Sequence, residues 1–152
     1  MSIELPWRLP KPFIKQIEVA PEDTDRLGHT NNVCYLSWLE AIAWEHMDYL
    51  NCGWQINERT SKAMAITHTE MDYLAASYAR ETLLLGTWIY ESDLRFTSGR
   101  YFELFRISDG KLLLKAEMKF ACIDLKKGRA SKMSQELIQA HQQAIKEASA
   151  GK

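Results

Sequence analysis

The sequence carries almost no excess charge. Its 152 residues include 19 lysines and arginines against 20 aspartates and glutamates, which gives a formal net charge of −1 when the histidines are neutral. This balance produces no overall field that would draw the protein to nucleic acid or to an anionic membrane surface. The basic residues also do not alternate with aromatic residues as they do in nucleic-acid-binding modules. We therefore expect no nucleic-acid partner.

Long apolar runs are missing too. No stretch approaches the roughly 18 apolar residues that a bilayer-spanning helix needs, so we expect no membrane span. The N-terminal segment MSIELPWRLPKPF has charges and prolines but no apolar stretch, which is not the pattern of a signal peptide. The three cysteines, Cys34, Cys52 and Cys122, form no C-x-x-C motif. They are expected to be reduced thiols in the core of a cytoplasmic protein.

Several familiar catalytic patterns are absent. The chain has no glycine-rich phosphate loop, no G-x-S-x-G elbow, no Cys–His signature and no H-E-x-x-H motif. Its histidines, at 29, 46, 68 and 141, have no metal-ligand spacing. His46 falls on an apolar helix face and is expected in the core or at an interface. We therefore expect no metal and no other bound cofactor.

What the chain does have is the apolar patterning of one α+β domain over residues 1–152. The predicted apolar helix face consists of Leu36, Leu39, Ala43, Met47 and Leu50, with Tyr35, Ile42 and His46 alongside. The predicted elements are a surface arm over 1–12, a strand over 13–20, a loop over 21–30, a helix of about 20 residues starting at Asn31 or Asn32, four antiparallel strands in a meander between 63 and 124, a hairpin turn at Asp109-Gly110, a terminal helix capped by Ser134, and a polar tail over 147–152.

The loop ahead of the long helix, PEDTDRLGHTNN, has the composition of a reactive site. A helix start offers unpaired N–H groups and a positive partial charge. Asp25, just before it, offers a general base or a nucleophile. Together these groups suit attack on a carbonyl whose oxygen becomes negative. The structural alternative is that Asp25 only caps the loop or the helix, as aspartate often does.

The string D-T-D-x-x-G-H-x-N-N-x-x-Y, followed by this order of elements, resembles the hotdog-fold thioesterases. The most similar branch is the hydroxybenzoyl-CoA thioesterase-like (4HBT-like) acyl-CoA thioesterases. The residues that carry the resemblance are Asp23, Thr24, Asp25, Gly28, His29, Asn31, Asn32 and Tyr35, with Glu40 on the helix and weaker support from residues 73–78, 123–124 and Arg129.

The resemblance implies a long central helix wrapped by a curved, mainly antiparallel five-stranded sheet, with a C-terminal helix. It also implies a homodimer or homotetramer whose sheets join edge to edge, with acyl-CoA bound at the subunit interface and coenzyme A present only as part of the substrate. Asp25 would be the catalytic carboxylate, and the backbone N–H of Asn32 the oxyanion donor. Thr30 departs from the family, which commonly has an apolar residue there.

Other residues of the motif have less defined roles. His29 either polarises the substrate and orients Asp25 or only orders the loop. Asn31, Thr30 and Tyr35 are candidates for substrate binding, although Asn31 also suits a helix cap and Tyr35 a core position. Glu40 is an alternative base, whereas an exposed or interface role is the plainer interpretation. Arg95, Arg100, Lys126, Lys127 and Arg129 are basic residues near which CoA phosphates could bind, but the sequence assigns none of them.

Three functions compete with acyl-CoA hydrolysis. One is hydrolysis of acyl carrier protein thioesters. Another is a hydratase or dehydratase of the same fold, with His29 and Asp25 transferring protons next to the carbonyl. The third is a non-catalytic acyl-CoA-binding domain.

Overall fold

The computed structural model describes residues 4–150. The elements of this part of the chain are β1 (Phe13–Glu18), α1 (Asn32–Tyr49), α2 (Trp54–Thr60), β2 (Lys62–Tyr73), β3 (Thr82–Ser92), β4 (Thr97–Arg106), β5 (Leu112–Asp124), β6 (Arg129–Ala130) and α3 (Gln135–Ala148). The predicted α+β class is confirmed, with a long helix, five principal strands and a C-terminal helix. The short helix α2 was not predicted.

The sheet is antiparallel throughout, with the strand order β1-β3-β4-β5-β2 and the two-residue β6 beside β5. Strands β3 to β5 form a meander as predicted. Strand β2 pairs with β5 and not with β3, so the predicted four-strand meander is wrong at β2. Strand β1 lies on the other side of β3, so between β2 and β3 the chain crosses from β2, past β5 and β4, to the strand next to β1.

The crossing segment, residues 74–81, is held at both ends by backbone hydrogen bonds. Leu74 N donates to Leu113 O on β5 at 2.9 Å, and Arg80 N donates to Val19 O, next to β1, at 2.7 Å. Between these points the segment passes the residues that precede α1. The topology of the sheet thereby brings two distant parts of the chain together at the start of the long helix.

Helix α1 packs on one face of the sheet through Tyr35, Leu39, Ile42, His46 and Met47. This buried stripe contains the predicted Leu39 and Met47 with the predicted flanking residues, whereas Leu36, which was also predicted on the buried face, is 39% exposed. The helix is turned so that Tyr35 and Leu39, one turn apart, point into the sheet. Its 18 residues make it about 27 Å long. The prediction that His46 is a core residue is confirmed, since it is 3% exposed.

The other face of the sheet is covered by the described part of the N-terminal arm. The Trp7 ring meets the rings of Trp88 and Phe105 edge-on, with centroids 5.8 and 4.8 Å away. The indole N–H of Trp88 donates to Pro10 O at 2.9 Å. Gly86 permits this contact, since a Cβ there would lie 2.6 Å from the Trp7 ring. The arm therefore covers β3 and β4 on the face of the sheet opposite α1. Residues 1–3 of the predicted arm lie outside the described range.

Helix α3 completes a second apolar cluster. Ser134 caps it as predicted, its hydroxyl accepting from Leu137 N at 3.1 Å. Leu137 and Ala140 pack with Ile89 of β3 and Cys122 of β5. The helix continues to Ala148, so the first residues of the predicted polar tail are helical, and 151–152 lie outside the described range. None of the helices described is long and apolar enough to cross a bilayer.

Candidate active site

The loop between β1 and α1 is fixed mainly by Asp23. One carboxylate oxygen of Asp23 accepts from Ala20 N at 3.1 Å, and its backbone carbonyl accepts from Asn31 N at 2.7 Å. The same carboxylate lies 3.7 Å from the Cys34 thiol. Burial and the Asp23 carboxylate raise the pKa of Cys34 above its usual range, so this cysteine stays protonated and is a poor nucleophile. Asp23, the first acid of the D-T-D string, thus holds the loop in its conformation.

Asp25, in contrast, is exposed, and only one of its two carboxylate oxygens accepts hydrogen bonds from the loop. Its Oδ1 accepts hydrogen bonds from Leu27 N at 2.9 Å and from His29 N at 3.2 Å. Gly28, with φ +80°, provides the left-handed turn that folds the chain back over Asp25. The second oxygen, Oδ2, accepts no hydrogen bond from the residues that the structure describes. A carboxylate held by one oxygen and free at the other can bind a water or attack a carbonyl.

The start of α1 leaves one backbone donor uncommitted. Asn31 is the cap, as predicted for this residue, and its side-chain oxygen accepts from Val33 N at 3.2 Å. Cys34 N donates to the backbone carbonyl of Asn31 at 2.9 Å. Asn32, the first helical residue, has no acceptor for its N–H within residues 4–150. This N–H lies at the positive end of the helix dipole, where a developing oxyanion is stabilised.

A chain of three hydroxyls lies beneath the loop. The Ser77 hydroxyl, which is fully buried, is 2.5 Å from Thr30 Oγ1 and 2.7 Å from the Tyr35 hydroxyl. Thr30 N also donates to Ser77 O at 2.8 Å. Hydroxyl groups both donate and accept, so the three satisfy one another without water. This chain fastens the loop and the first turn of α1 to the crossing segment.

The sequence did not single out Ser77. The segment 73–78 entered only through its resemblance to the family, and Ser77 lies 47 positions after Thr30. Its one sequence signal is that it is a small polar residue in an aromatic and apolar stretch. Its partner is Thr30, the residue at which this sequence departs from the family pattern. The Thr30 hydroxyl forms one end of the series of three hydrogen-bonded hydroxyls.

These groups surround a cleft of about 250 Å³. It is lined by Asp25, His29, Thr30, Asn32, Tyr35 and residues 73–76 of β2 and the crossing segment. Five of the six predicted site residues therefore line one cleft, while Asn31 caps the helix beside it. Glu40, the alternative base, lines a different cavity of the same chain. Among the residues described, no group of three or more metal-binding side chains lies close enough to hold a metal.

His29 contacts Asp25 through its backbone and not through its ring. The imidazole instead meets the ring of Tyr78 edge-on, with 5.2 Å between centroids, and the backbones of these two residues form a β-bridge. The local geometry therefore favours a role for His29 in ordering the loop.

Exposed apolar side chains lie on or close in sequence to the residues that line the cleft, and we call them the apolar rim. Tyr73 and Leu74 line the cleft and are 50% and 49% exposed. Leu27 in the Asp25 loop is 76% exposed, and Val33, next to Asn32, is 73% exposed. The rim also includes Leu36 and Tyr78, which are 39% and 46% exposed. Exposed apolar side chains that form a patch commonly mark interfaces or ligand grooves.

Comparison with known proteins identifies the family of the chain. Residues 19–141 match the model of the thioesterase-like superfamily. This is most of the chain and includes the loop, the long helix and all the strands from β2 to β6. The chain therefore belongs to the thioesterase-like superfamily and is a thioester hydrolase. No curated protein sequence matches it significantly.

Several solved structures share this fold. A 1,4-dihydroxy-2-naphthoyl-CoA thioesterase from Synechocystis is 19% identical, with a TM-score of 0.76 over 89% of this chain and 96% of that one. A Staphylococcus aureus protein solved with CoA is 14% identical, with a TM-score of 0.85 over 96% and 91%. YbaW, a probable thioesterase from Escherichia coli, is 22% identical, with a TM-score of 0.72 over 87% and 98%. At these identities the structures show the shared hotdog fold.

The hydroxyl chain predicts a measurable coupling between Ser77 and Tyr35. Ser77→Ala leaves the buried Tyr35 hydroxyl without its partner, so we expect the free energy of unfolding to fall by about 1–3 kcal/mol. Adding Tyr35→Phe removes the stranded hydroxyl, and the double variant should lose less than the sum of the singles by about 0.5 kcal/mol or more. Urea unfolding of the four proteins measures both effects. Tyr49→Phe, at an exposed hydroxyl, is the control, and additive losses would contradict the coupling.

Proposed function

We propose that the protein hydrolyses acyl-CoA thioesters to a carboxylic acid and free CoA, with the reaction taking place in the cleft at the start of α1. The observation that carries this proposal is that the half-free carboxylate of Asp25 and the uncommitted N–H of Asn32 line the same cleft. A thioester hydrolase needs these two functions, one to deliver the nucleophile and the other to stabilise the oxyanion.

In the water-attack route, Asp25 Oδ2 takes a proton from a water whose oxygen bonds to the thioester carbon. The carbonyl oxygen becomes negative and accepts a hydrogen bond from Asn32 N–H. Collapse of this intermediate breaks the carbon–sulfur bond, and the departing CoA sulfur takes the proton from Asp25. In the alternative route Asp25 attacks the carbon itself, CoA leaves as the thiolate, and water then hydrolyses the mixed anhydride. Both routes use the same two groups.

The substrate assignment to CoA draws on the relatives. One neighbour in fold is a CoA thioesterase by name and another was solved with CoA bound. Thr30 and Tyr35, which form one wall of the cleft, are proposed to position the acyl group, with Asn31 shaping the cleft from the helix cap. Coenzyme A enters as part of the substrate, and no separate cofactor takes part. The three free thiols suit the cytoplasmic location expected from the sequence.

We also propose that two copies associate so that each cleft lies at the subunit interface. Strand β2 is 12 residues long and, among the described strands, pairs only with β5; residues 67–70 on it are exposed. Such an edge is a template for pairing with a second chain. The apolar rim around the cleft would be buried in the same contact, which would shield the thioester from bulk solvent.

The role of Asp25 is tested by Asp25→Asn. Asparagine keeps the oxygen that accepts from Leu27 N and His29 N, so the loop should remain folded, while the base is lost. We expect kcat for thiol release across short, long and aromatic acyl-CoAs to fall by about 10²–10⁴-fold. Glu22→Gln, which removes a charge from the same loop without touching the cleft, should keep full activity. Retained activity in Asp25→Asn would transfer the base to Glu40 or His29.

The role of the Asn32 backbone is tested by Asn32→Pro. Proline is favoured at the first position of a helix, and the cap residue before it already has the extended conformation, φ −67° and ψ 135°, that proline requires. The substitution thus removes one N–H while keeping the helix. We expect kcat to fall by about 10²–10³-fold. Asn32→Ala, which keeps the N–H, should change kcat little; an equal loss in both variants would assign the effect to the side chain.

The interface is tested by Val33→Asp in sedimentation velocity. An acidic residue in the first turn of a helix is compatible with the helix dipole, so the monomer should stay folded, whereas a charge on the apolar rim opposes association. We expect wild type to sediment as a dimer or tetramer and Val33→Asp to shift towards monomer. Val33→Leu should associate like wild type. A wild-type monomer at micromolar concentration would contradict the proposed assembly.

A further inference from the structure

A second cavity, of about 270 Å³, lies between α1, α3 and the sheet. Its wall is mostly apolar and includes Met47, Met64, Ile89, Met118, Phe120 and Leu137. Trp44, 43% exposed, and Ile66, 41% exposed, line its open side. It is larger than the cavity of about 150 Å³ that holds a benzene molecule in a protein core. The space therefore suits a substituted ring or a medium-length alkyl chain.

The buried end of this cavity holds an arginine without a counter-ion. Arg100, on the central strand β4, is 3% exposed and lines the cavity. Among residues 4–150 no carboxylate oxygen lies within 4.0 Å of its guanidinium. Buried arginines are nearly always paired with a carboxylate or another anion, because desolvation of a lone charge costs several kcal/mol.

The hydrogen bonds of Arg100 leave most of its donors free. Nη1 donates to His46 Nδ1 at 2.9 Å and to Thr87 Oγ1 at 3.1 Å. Nε and Nη2, which carry three of the five N–H groups of a guanidinium, have no acceptor among the described residues. No fully buried side-chain nitrogen or oxygen in that part of the chain lacks a partner, so these two nitrogens must face open space. The space beside them is the cavity.

The histidines beside Arg100 do not neutralise its positive charge. Burial, Arg100 and His141 lower the pKa of His46 to about 3, and burial lowers the pKa of His141 to about 4, so both rings are neutral at pH 7. Burial lowers the pKa of Arg100 to about 9, which leaves it charged at neutral pH. Because His46 Nδ1 accepts from Arg100, its hydrogen is on Nε2. Of the acids in the described part of the chain, Glu40 alone lines the cavity, and it is exposed.

We propose that this cavity binds the carboxylate of an otherwise apolar molecule, with the carboxylate on Arg100 and the apolar body among the methionines and Phe120. A planar carboxylate matches two parallel N–H donors of a guanidinium and supplies the missing counter-charge. Arg100 pairs with His46 on α1, 14 residues beyond Asn32, which is about 21 Å along the helix. The cavity is thus separate from the thioester cleft of the same chain.

The test compares octanoate with octanamide, two ligands of equal length that differ in charge. Trp44 fluorescence and calorimetry give the dissociation constants. We expect wild type to bind octanoate more tightly than octanamide. Arg100→Met should weaken octanoate binding by about 10- to 100-fold and leave octanamide binding unchanged. Arg95→Met, which removes an exposed arginine ahead of the same strand, is the matched control and should bind like wild type.

A second variant guards against a folding effect of Arg100→Met. Ile66→Trp narrows the exposed mouth without touching Arg100, so it should weaken binding of both ligands while the fold is retained. Because Ile66 lies on the β2 edge proposed to pair with a second copy, binding is compared at matched oligomeric state, checked by sedimentation velocity. The absence of octanoate binding to wild type would overturn the proposal. Equal octanoate affinity in wild type and Arg100→Met would also overturn it.

A further arm distinguishes the two sources of such a carboxylate, and it rests on the proposed function. Hydrolysis of octanoyl-CoA is compared with hydrolysis of the eight-carbon acyl-CoA whose acyl chain ends in a carboxylate at the end away from the thioester. If Arg100→Met raises KM for the second substrate only, the ligand is the acyl group of a carboxylated substrate held in the cleft of the proposed second copy. If neither KM changes while octanoate binding is lost, the ligand is a free carboxylic acid. Either outcome supports the carboxylate site. If wild type hydrolyses neither substrate, that result contradicts the proposed thioesterase function and leaves the octanoate-binding test of Arg100 unaffected.

Discussion

The hydrogen bonds between the crossing segment and the residues before α1 determine the rest of the site. The crossing segment must pass from β5 to β1 because β2 and β3 lie at different positions in the sheet, and its Ser77 holds both the Thr30 loop and Tyr35 on α1. This attachment fixes where the helix begins relative to the sheet. It therefore fixes the distance between the Asp25 loop and the first free N–H of the helix, on which carbonyl chemistry depends.

Local chemistry in the sequence was sufficient to predict much of the fold. The cap at Asn31 and the cap at Ser134 follow from short-range hydrogen bonds, and the structure has both. The site motif was also recognisable because Asp25, His29, Thr30 and Asn32 lie within eight positions of one another. The pairing of β2 with β5 was missed, since pairing partners far apart in sequence leave no periodic signal. Ser77 was missed for the same reason.

Sequence patterns also failed to predict how exposed some individual residues are. Leu36 has the apolar character of a core residue, yet the rotation of α1 places it at the rim of the cleft. Arg100 looked like one of several basic residues that could meet CoA phosphates, but strand β4 places it in the interior. Only the packing of α1 and α3 over the sheet shows that this charge has no carboxylate partner within residues 4–150. The apolar face of one helix, or the alternation along one strand, does not predict which charged groups meet where three elements pack together.

The central claim is that the thioester carbonyl binds at the start of α1. A crystal structure with a non-hydrolysable acyl-CoA ketone, in which a methylene replaces the sulfur, tests it most directly. The account predicts the ketone oxygen about 2.7–3.1 Å from Asn32 N, with an Asp25 oxygen facing the carbonyl carbon directly or through one water. A ketone bound away from both groups, for example beside Glu40 in the second cavity of the same chain, would contradict it.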